Sequence, residues 1–538
     1  VNKEWELKYP LTIVTSLLRV GADHCPIMLD TKKEERRVAR QFKFEMSWFL
    51  VPHFKEMICK RWPKRFQLKA IDFWHYAAPD LRRMLRGWKA NLGKESKEKR
   101  LLLEQRLIDI DSKADESDLF EQEWEERYKI EEELENIYAQ EEIMWQRRSG
   151  ETWLIKGDSN TGYYHGIANG RRRKYYIFSL QKGDQIISQF KDIQNHVYEY
   201  YKSLFGKETL IGVSLADNAW REKLRLSEED REKLTRDFGM EELERVIKDI
   251  KSNTAPGPDG FPIGFFKNMW SMLKGLIKEL LDDMCKGELD LGRLNYGVIS
   301  LLPKIKEANA IRQYRPICLL NVILKILTKA VTMRATEIAG KVISRTQTAF
   351  IPGRSILEGV VVLHEVLHEL KSKGERGIIF KIDFEKTYDR VQWPFLVEVM
   401  RKKNFGEKFI GWIINAVEGG RVAININGEQ GEFFRTYRGL RQGDPLSPIL
   451  FNLVGDALDL ILESAKKAGV LEGLTPNLIE GGITHLQYAD DTILFVKPSR
   501  QNIATLKFLM FCFEEMSGMK INYQKSKVFG VGLEDGEL

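Results

Sequence analysis

The sequence contains few cysteines, and none at a spacing that would pair them locally. No C-x-x-C motif occurs along the 538 residues, and the five cysteines lie far apart, at Cys25, Cys59, Cys285, Cys318 and Cys512. An odd number of isolated cysteines excludes a disulfide framework and a zinc knuckle. We therefore expect the protein to occupy a reducing compartment.

Long apolar runs are also missing. No stretch approaches the ~18 to 20 apolar residues of a membrane-spanning helix, and the first residues, Val-Asn-Lys-Glu-Trp, are not a signal peptide. We expect a soluble, intracellular protein with no membrane partner. Because the first residue is not Met and the end of the chain follows the last strand-like run almost at once, we also expect a fragment.

A large excess of one charge is absent as well. The 84 basic residues nearly balance the 78 acidic ones, so the net charge is only +6 and the distribution of charge is more informative than its sum. Apolar residues make up 43% of the chain and aromatic residues 11%. This composition is globular, and the length predicts more than one domain.

An acidic pair between two β-prone runs is the most informative pattern. Residues 484–487 and 492–496 flank Tyr-Ala-Asp-Asp at 488–491, which predicts a hairpin with Asp490 and Asp491 at its tip. Adjacent like charges repel each other unless a cation lies beside them. Carboxylate oxygens suit Mg²⁺ or Mn²⁺, and two such ions can clamp the oxygens of a phosphoryl displacement. A solvated turn is the alternative unless another carboxylate joins the pair.

A second strand pattern ends on such a carboxylate. Residues 378–382 alternate in the manner of a strand and lead to Asp383. The separation from Asp490, 490 − 383 = 107 residues, lets the chain return as an adjacent antiparallel strand, so three carboxylates can converge on one metal pair. Between them, a Gly/Pro loop at 438–452 feeds an apolar helix. Its arginines, Gln442 and backbone amides suit a nucleotide or a template base.

The upstream segments have patterns of scaffolding and of nucleic-acid binding. Residues 41–90 resemble amphipathic helices with Trp and Phe facing a core, and residues 95–148 predict a long solvated helical hairpin with one packed seam. Basic and aromatic residues then alternate beside a Gly-containing turn, which fits a surface that follows a nucleic-acid backbone; the basic residues are Arg171, Arg172, Arg173 and Lys174. A solvated basic loop is the competing interpretation.

Other elements are predicted between these segments. Ser227 begins a capping box, and the Pro/Gly-rich residues 253–261 form a rigid turn. Helices are expected at 191–204, 240–251, 262–285, 319–340 and 355–372, and strand-like segments at 297–304 and 313–317.

One motif points to a different class of enzyme. His364, Glu365 and His368 match the H-E-x-x-H pattern of zinc proteases, which would place both imidazoles on one face of a helix. No further His follows at the spacing of a third ligand, and Glu385 falls inside another motif. The sequence therefore disfavours a zinc site.

Taken in order, the motifs resemble those of a known enzyme family. They are Pro-Gly-Pro-Asp-Gly (256–260), Leu-Pro-Lys (302–304), Tyr-Arg-Pro-Ile (314–317), Phe-Lys-Ile-Asp-Phe-Glu-Lys-Thr-Tyr-Asp (380–389), Arg-Gly-Leu-Arg-Gln-Gly-Asp-Pro-Leu-Ser-Pro (438–448) and Tyr-Ala-Asp-Asp (488–491). This order is similar to the reverse transcriptase of a non-LTR retrotransposon, a LINE of the type common in plants, over roughly residues 230 to 530.

The resemblance implies an α+β fold of the right-hand polymerase type. It places fingers at 230–375 and a palm with a ferredoxin-like antiparallel sheet at 376–538. Upstream it places a mostly helical N-terminal extension or linker at 31–229 and a remnant of an apurinic-type endonuclease at 1–30. It also implies that the thumb and the primer-grip turn are absent and that endonuclease activity is missing.

The same resemblance assigns roles to individual residues. Asp383 and Asp490 would hold two Mg²⁺ ions, or Mn²⁺, and Asp491 would complete the acidic centre. Residues implied to contact the nucleotide are Arg315 and Lys304 at the triphosphate, Gln442, Gly443 and Phe384 in the pocket, and Tyr388 at the sugar.

An aromatic ring at Tyr388 would clash with a 2′-hydroxyl, which predicts dNTPs over NTPs. RNA-dependent RNA polymerases have a similar layout but carry a small or acidic group there, so Tyr388 argues against them. Either Lys520 or Lys525 could protonate the leaving pyrophosphate.

The predicted function is RNA-directed DNA synthesis. The expected partners are a template RNA, a DNA primer or target DNA, and dNTPs, while the oligomeric state is not predicted. Target-primed synthesis implies the nucleus, with a cytoplasmic ribonucleoprotein as a further location. The alternative is a catalytically silent RNA-binding remnant of such an element.

Overall fold

The computed structural model describes residues 41–150, 161–207, 212–216, 224–252 and 254–534, together with Trp220 and parts of the first 31 residues (Trp5, Tyr9, 12–16 and 27–31). The predicted endonuclease motif at 22–26 and the loop at 157–160 lie outside these residues. No helix within the described part of the chain is both long and apolar enough to cross a membrane.

The described architecture mixes helices with several small sheets, as the sequence predicts. The helices are α1 (Phe54–Arg61), α2 (Ala70–Glu116), α3 (Glu121–Ser149), α4 (Thr161–Tyr175), α5 (Phe190–Leu204), α6 (Glu228–Thr235), α7 (Met240–Asp249), α8 (Ile263–Asn268), α9 (Trp270–Lys286), α10 (Val322–Val342), α11 (Ile356–Lys373), α12 (Thr387–Arg390), α13 (Trp393–Lys402), α14 (Glu407–Val417), α15 (Ser447–Lys467) and α16 (Arg500–Ser517). Short 3₁₀ helices lie at Met46–Leu50, Leu291–Arg293 and Ile311–Gln313.

The strands form two larger sheets and three pairs. They are β1 (Ile13–Ser16), β2 (Ile27–Asp30), β3 (Leu180–Lys182), β4 (Gln185–Ile187), β5 (Tyr296–Pro303), β6 (Tyr314–Leu320), β7 (Gly377–Ile382), β8 (Phe384–Glu385), β9 (Arg421–Ile426), β10 (Glu429–Gln430), β11 (Phe434–Arg435), β12 (His485–Tyr488), β13 (Asp491–Val496), β14 (Lys520–Ile521) and β15 (Lys527–Val531). The pairs are β1–β2, β3–β4 and β8–β14.

The first larger sheet is antiparallel, with strand order β12-β13-β7-β15. In β7, Gly377, Ile378, Ile379 and Ile382 are buried, so the strand is covered on both faces over most of its length. Its neighbour β13 pairs from Thr492↔Ile382 to Val496↔Ile378. The two strands that the sequence analysis expected to be adjacent therefore share a ladder.

The second larger sheet is mixed, with order β10-β9-β5-β6, and β11 also pairs with β9. β5 and β6 are antiparallel, whereas β5 and β9 are parallel. A parallel pair needs a long crossover, and here the crossover contains β7 and helices α10 to α14. One strand of the first sheet, β7, therefore lies between β6 and β9 of the second sheet in the sequence.

The aromatic residues of the segment at 41–90 belong to the main core, as predicted. Phe42, Phe44 and Phe54 are buried, and the Phe44 ring lies 5.0 Å from that of Phe265 in an inclined contact. Phe66 and Tyr76 are exceptions, since 77% and 59% of them are exposed. The prediction of amphipathic helices whose Trp and Phe side chains face a core is thus confirmed for most of the segment.

The helical hairpin is confirmed, but its first helix is longer than expected. α2 begins at Ala70 and continues to Glu116, and α3 follows after four residues. One small apolar cluster forms the seam; its buried members are Ile110, Ile130 and Leu134.

Two other expectations on local structure need correction. The helix predicted at 262–285 is divided into α8 and α9, because Met269 has φ −101° and ψ 19° instead of helical angles. The basic cluster at 171–174 is helical, since it lies at the C-terminal end of α4, whereas most of the Gly-containing turn that precedes it lies outside the described residues. The cap at Ser227 is confirmed, since its hydroxyl accepts a hydrogen bond from the Asp230 amide at 3.2 Å.

Candidate active site

The acidic pair lies at a two-residue hairpin turn, as the sequence predicts. Tyr488 pairs with Asp491 in the last rung of β12 and β13, and Ala489 and Asp490 form the turn. Ala489 has φ +55°, a left-handed conformation that a residue with a Cβ rarely adopts. The Thr387 hydroxyl donates to Asp490 Oδ2 at 3.3 Å, which connects the turn to the start of α12.

Asp383 follows directly after β7, beside this hairpin. The last paired positions of β7 and β13 are Ile382 and Thr492, so Asp383 and Asp491 lie next to this rung, at the same end of the strand pair. The Asp383 backbone is held by residues near the chain end, because its amide donates to Ser526 Oγ at 3.1 Å and its carbonyl accepts from the Asn522 amide at 2.7 Å.

Two of the three carboxylates line one open cavity of about 620 Å³, namely Asp383 and Asp490. Asp491 is outside its lining: its side chain is 62% exposed, and its Oδ1 lies 3.9 Å from Lys381 Nζ. No group of three or more His, Cys, Asp or Glu side chains within the described residues is arranged to hold a metal ion. The structure thus brings Asp383 and Asp490 together and leaves Asp491 at the rim.

Both cavity carboxylates keep free acceptor capacity. A carboxylate has about four lone-pair sites. Asp490 accepts from Thr387, and the cation beside Asp383 is Lys525 at 3.9 Å, beyond hydrogen-bond distance. Hard oxygen donors with free lone pairs at an open cavity fit a divalent cation such as Mg²⁺.

The cavity lining is also basic. Its cationic residues are Lys304, Arg312, Arg315, Lys386 and Lys525. Burial lowers the pKa of Lys304, and the nearby Lys525 and Arg315 lower it further. Cations that already repel one another are stabilised by an anionic ligand between them. The cavity therefore presents both carboxylates and cations to a ligand.

The two lysines that could protonate the leaving pyrophosphate, Lys520 and Lys525, lie in different places. Lys525 lines the cavity, whereas Lys520 is outside its lining, and its ammonium bonds to Glu515 at 2.8 Å. Lys525 is therefore the one placed to meet a ligand in the cavity.

Lys386, which lines the cavity, interacts electrostatically with the buried carboxyl of Asp389. Lys386 Nζ donates to the Tyr314 carbonyl at 2.9 Å, and burial lowers its pKa to about 8. Burial raises the pKa of Asp389 to about 7, although the Lys386 ammonium opposes that shift. The pKa values of Lys386 and Asp389 both lie near neutrality because the surroundings of these groups have low polarity.

Tyr388 presents its side chain to the cavity from a fixed position. Its ring stacks on Phe451 of α15, with centroids 4.6 Å apart and planes inclined by 15°. Its carbonyl accepts from the Leu440 amide at 2.6 Å. Burial raises the pKa of the phenol, and the Asp490 charge raises it further, so the hydroxyl stays protonated. Phe384 also borders the cavity, but it is buried and its ring lies 6.1 Å from that of Phe513.

Gln442 and Gly443 connect the Gly/Pro loop at 438–452 to strand β6. The Gln442 carbonyl accepts from the Cys318 amide at 2.8 Å, and Gln442 lines the cavity. Gly443 has φ +114°, and a Cβ there would lie 2.7 Å from the Cys318 carbonyl oxygen. Only glycine fits this conformation and this close approach. Gly443 therefore shapes the loop, and it lies outside the cavity lining.

The two arginines of this loop do not face the cavity opening, contrary to expectation. Arg441 is buried and bonds to the Asn295 side chain, to the Ala416 carbonyl at 2.7 Å and to Asp444 at 3.0 Å. Arg438 is also buried, and its Nε donates to the Leu204 carbonyl at 2.8 Å. Buried guanidinium groups need such acceptors. These arginines anchor the loop to its surroundings.

Two contributors to the site were not identified from the sequence. Tyr200 of α5 lines the cavity although it lies 183 residues before Asp383 (383 − 200 = 183). Gln347 bonds to both backbone groups of Ala489, at 3.0 and 3.3 Å. Neither residue belongs to a charged or glycine-rich pattern, so local sequence gave no signal.

The basic cluster lies apart from the cavity lining. Arg171, Arg172 and Lys174 are exposed on α4, and Arg173 is partly exposed. Their helix precedes the β3–β4 hairpin, whose Gln181 amide bonds to the Asn309 carbonyl at 2.7 Å. A helical basic face of this kind can meet phosphate groups.

The H-E-x-x-H residues do not form a metal centre. His364, Glu365 and His368 are exposed on α11, and the described residues contain no group of three metal-ligating side chains. The third ligand that a catalytic zinc site needs is therefore missing from the described structure.

Comparisons with known proteins agree with this geometry. Residues 303–531 match the family model of reverse transcriptase (RNA-dependent DNA polymerase). An uncharacterised 149 kDa protein of transposon TX1 from Xenopus laevis is 29% identical over 382 residues, which cover 68% of this chain and 28% of that protein. The Pol polyprotein of the type-2 retrotransposable element R2DM from Drosophila melanogaster is 26% identical over 286 residues, covering 52% of this chain and 25% of that protein.

A third relative is the Pol polyprotein of a type-1 retrotransposable element R2 from Nasonia vitripennis. It is 26% identical over 254 residues, covering 47% of this chain and 23% of that protein. The chain thus spans about a quarter of the length of the relatives it matches. The family match contains the cavity carboxylates, Tyr388, Gln442 and Lys525, whereas Tyr200 lies upstream of it.

Proposed function

We propose that this chain, which carries a reverse transcriptase domain at residues 303–531 and has relatives among non-LTR retrotransposon proteins, is the RNA-directed DNA polymerase of a LINE-type element. The observation that carries the proposal is one cavity whose lining contains both Asp383 and Asp490 and several cations. Nucleotidyl transfer needs both features, because the reacting phosphates are anionic and bind metal.

Its fold would contain the fingers and the palm of a right-hand polymerase. The antiparallel sheet β12-β13-β7-β15 would be the palm (376–538), and the segment 230–375 the fingers. The parallel pairing of β5 with β9 joins these two segments in one sheet, so they would be subdomains and not independent units. Residues 31–229 would be the helical extension, and residues 1–30 the remnant of an endonuclease.

Asp383 and Asp490 would hold Mg²⁺ or Mn²⁺, with Asp491 reaching it from the rim of the cavity. When bound, such ions stabilise the charge that develops on the attacking and leaving oxygens. Asp383 is rigidly placed for this role because both of its backbone polar groups are hydrogen-bonded to residues 522–526.

The chain's other residues would orient the nucleotide. In the reaction, the primer 3′-hydroxyl attacks the α-phosphate of a dNTP, a new P–O bond forms, and the bond to the β-phosphate breaks to release pyrophosphate. Arg315 and Lys304 would hold the triphosphate, and the Lys525 ammonium would lie close to the leaving group. Gln442, Gly443 and Phe384 would shape the pocket around the nucleotide.

Primer extension on an RNA template tests the proposal. Wild type should incorporate dNTPs in the presence of Mg²⁺, and Asp490→Asn should reduce the rate by roughly two to three orders of magnitude. Asp184→Asn, the same change in the remote β3–β4 turn, is the matched control and should extend normally. Equal rates for wild type and Asp490→Asn would refute the role of Asp490.

Tyr388 would select the sugar. Stacking on Phe451 fixes the ring, so a ribose 2′-hydroxyl would meet a side chain that cannot move away. Tyr388→Val should increase NTP incorporation relative to dNTP incorporation, whereas Tyr388→Phe, which keeps the ring, should not. Unchanged sugar discrimination in Tyr388→Val would contradict this role.

A second candidate function is an RNA-binding remnant without catalysis. It is favoured by the exposed basic turn of α4. Salt-dependent RNA binding that weakens when Arg172 and Lys174 are changed to Ala, together with no extension at any Mg²⁺ concentration, would support this alternative.

The proposed partners are a template RNA, a DNA primer or target DNA, and dNTPs. Target-primed synthesis would place the protein in the nucleus, and a cytoplasmic ribonucleoprotein would be a further location.

A further inference from the structure

The turn that carries Asp490 is conformationally unfavourable by itself. Ala489 has φ +55°, and its methyl group makes the left-handed region costly for it, unlike glycine. A two-residue turn with such a residue can relax to other conformations unless its surroundings oppose the change. Because Asp490 directly follows Ala489, a relaxed turn would move the Asp490 carboxylate.

The side-chain amide of Gln347 bonds to both polar backbone groups of Ala489. Gln347 Oε1 accepts from the Ala489 amide at 3.0 Å, and Gln347 Nε2 donates to the Ala489 carbonyl at 3.3 Å. Gln347 is fully buried. An amide can make this pair of bonds because it carries one acceptor and one donor on the same planar group.

The orientation of this amide is itself fixed. Gln347 Oε1 also accepts from the Ala349 amide at 3.0 Å, so two donors identify the oxygen side. The backbone is held too, since the Gln487 amide donates to the Thr346 carbonyl at 2.9 Å and the Thr348 amide donates to the Gln487 carbonyl at 3.1 Å. The segment 346–348 thus lies along β12 and aligns Gln347 with the turn.

Anchors on the far side keep this segment in place. The Arg354 guanidinium donates to the carbonyls of Gln347 at 2.7 Å and of Ile343 at 2.8 Å. Asn452 Nδ2, on α15, donates to the Ala349 carbonyl at 2.7 Å. Asn452 therefore supports the segment without touching the turn, and it provides a matched comparison for Gln347.

We propose that Gln347 is a positioning residue that holds the Ala489–Asp490 turn in its left-handed conformation and so sets the place of the Asp490 carboxylate. We call the two hydrogen bonds between Gln347 and Ala489 the clamp. The catalytic effect of the clamp rests on the proposed function, whereas its effect on the turn does not. Gln347 acts through Asp490 and has no contact with the nucleotide.

Three variants separate the clamp from a general loss of stability. Gln347→Met keeps the size of the side chain and removes both hydrogen bonds. Gln347→Glu keeps the acceptor for the Ala489 amide and loses the donor to its carbonyl, and it decides the question if Gln347→Met does not fold. Asn452→Leu removes a buried amide from the same segment and leaves Gln347 intact.

Amide hydrogen exchange, read on peptides that cover residues 485–492, is the first measurement. Exchange should be faster in Gln347→Met, intermediate in Gln347→Glu, and as in wild type in Asn452→Leu. Wild-type exchange in both Gln347 variants, or equal acceleration in Asn452→Leu, would overturn the clamp.

The Mg²⁺ dependence of primer extension is the second measurement. Gln347→Met should need about tenfold more Mg²⁺ for half-maximal rate, because second-layer supports change metal affinity by 10- to 100-fold. The KM for dNTP should change by less than about twofold, since the nucleotide contacts remain. An unchanged Mg²⁺ dependence would overturn the positioning role. If wild type extends no primer at all, the proposed function fails, while the exchange experiment still decides the clamp.

Discussion

The α2–α3 hairpin and the region around the two larger sheets use charged residues in opposite ways. On the hairpin, pairs such as Arg106 with Glu126 lie at the surface with half-exposed side chains. In the sheet region, Lys403 and Asp456 are paired with no exposure of either side chain. Exposed pairs are screened by water and contribute little, whereas buried pairs are costly to break.

Two buried charged residues of the sheet region, Lys403 and Arg334, each have several partners. Lys403 Nζ pairs with Asp456, donates to the Val342 carbonyl at 2.5 Å and lies 4.4 Å from the Trp220 ring. Arg334 makes a bidentate pair with Glu242 at 2.8 and 2.9 Å. Such networks require one arrangement of the surrounding helices and loops. The hairpin has only its small apolar seam for that purpose, so its geometry is less strictly determined.

The largest effect is expected when a buried pair is broken. Asp456→Ala leaves the Lys403 ammonium without a counter-charge and should lower the free energy of unfolding by about 3 to 5 kcal/mol. Denaturant unfolding measures this. The double variant Lys403→Met/Asp456→Ala should be less destabilised than Asp456→Ala alone, and equal losses would show that the charge is not the cause.

The pH dependence of stability is the next test of how buried charges affect the fold. Burial raises the pKa of Asp389 to about 7, so between about pH 4 and 7 the unfolded state loses this proton and the folded state retains it. The free energy of unfolding of wild type, minus that of Asp389→Asn, should therefore fall by a few kcal/mol as pH rises from about 4 to 7. It should stay constant above that range. Urea unfolding at a series of pH values is the measurement. A difference that rises with pH would contradict the assigned direction.

A smaller and local effect is expected at the seam of the hairpin. Leu134→Ala removes part of the cluster with Ile110 and Ile130 and should destabilise the hairpin by about 2 kcal/mol. Hydrogen exchange should accelerate in residues 103–137 and stay unchanged in β7 and β13. Equal acceleration in both regions would show that the hairpin and the sheets unfold together.

The smallest effect is expected at the surface pairs. Arg106 bonds to Glu126 at 2.8 and 3.1 Å, yet Arg106→Met should leave the exchange rates and the unfolding curve of the hairpin unchanged. A loss as large as that of Leu134→Ala would mean that the ion pairs, and not the apolar seam, hold the hairpin.

Much of the architecture was predictable because it depends on local patterns. Alternation in 378–382 identified β7, and the β-prone runs around residues 488–491 identified the acidic hairpin. The division between α8 and α9 at Met269 was not predictable, since apolar periodicity continues across it. The parallel pairing of β5 with β9 was also missed, because no local pattern specifies a partner so far along the chain.

The residues of the candidate site also divide into those that the sequence predicts and those that it does not. Residues whose chemistry is visible in a motif, such as Asp383 and Asp490, do border one cavity. The loop arginines were misjudged, because a motif does not show whether a guanidinium points to a ligand or, like Arg441, to carbonyl groups of the core. Tyr200 and Gln347 were missed for a related reason, since their importance comes from tertiary contacts alone.

The parallel pairing of β5 with β9 also has a consequence for how the chain is made. During synthesis, β5 can pair with β6 at once, but the strand that covers its other edge begins 421 − 296 = 125 residues later. At ~5 to 20 residues per second, that edge stays uncovered for about 6 to 25 s. An unpaired strand edge attracts other chains, so a pause of the ribosome in this interval should favour aggregation, and slow translation after residue 303 should lower the yield of folded protein.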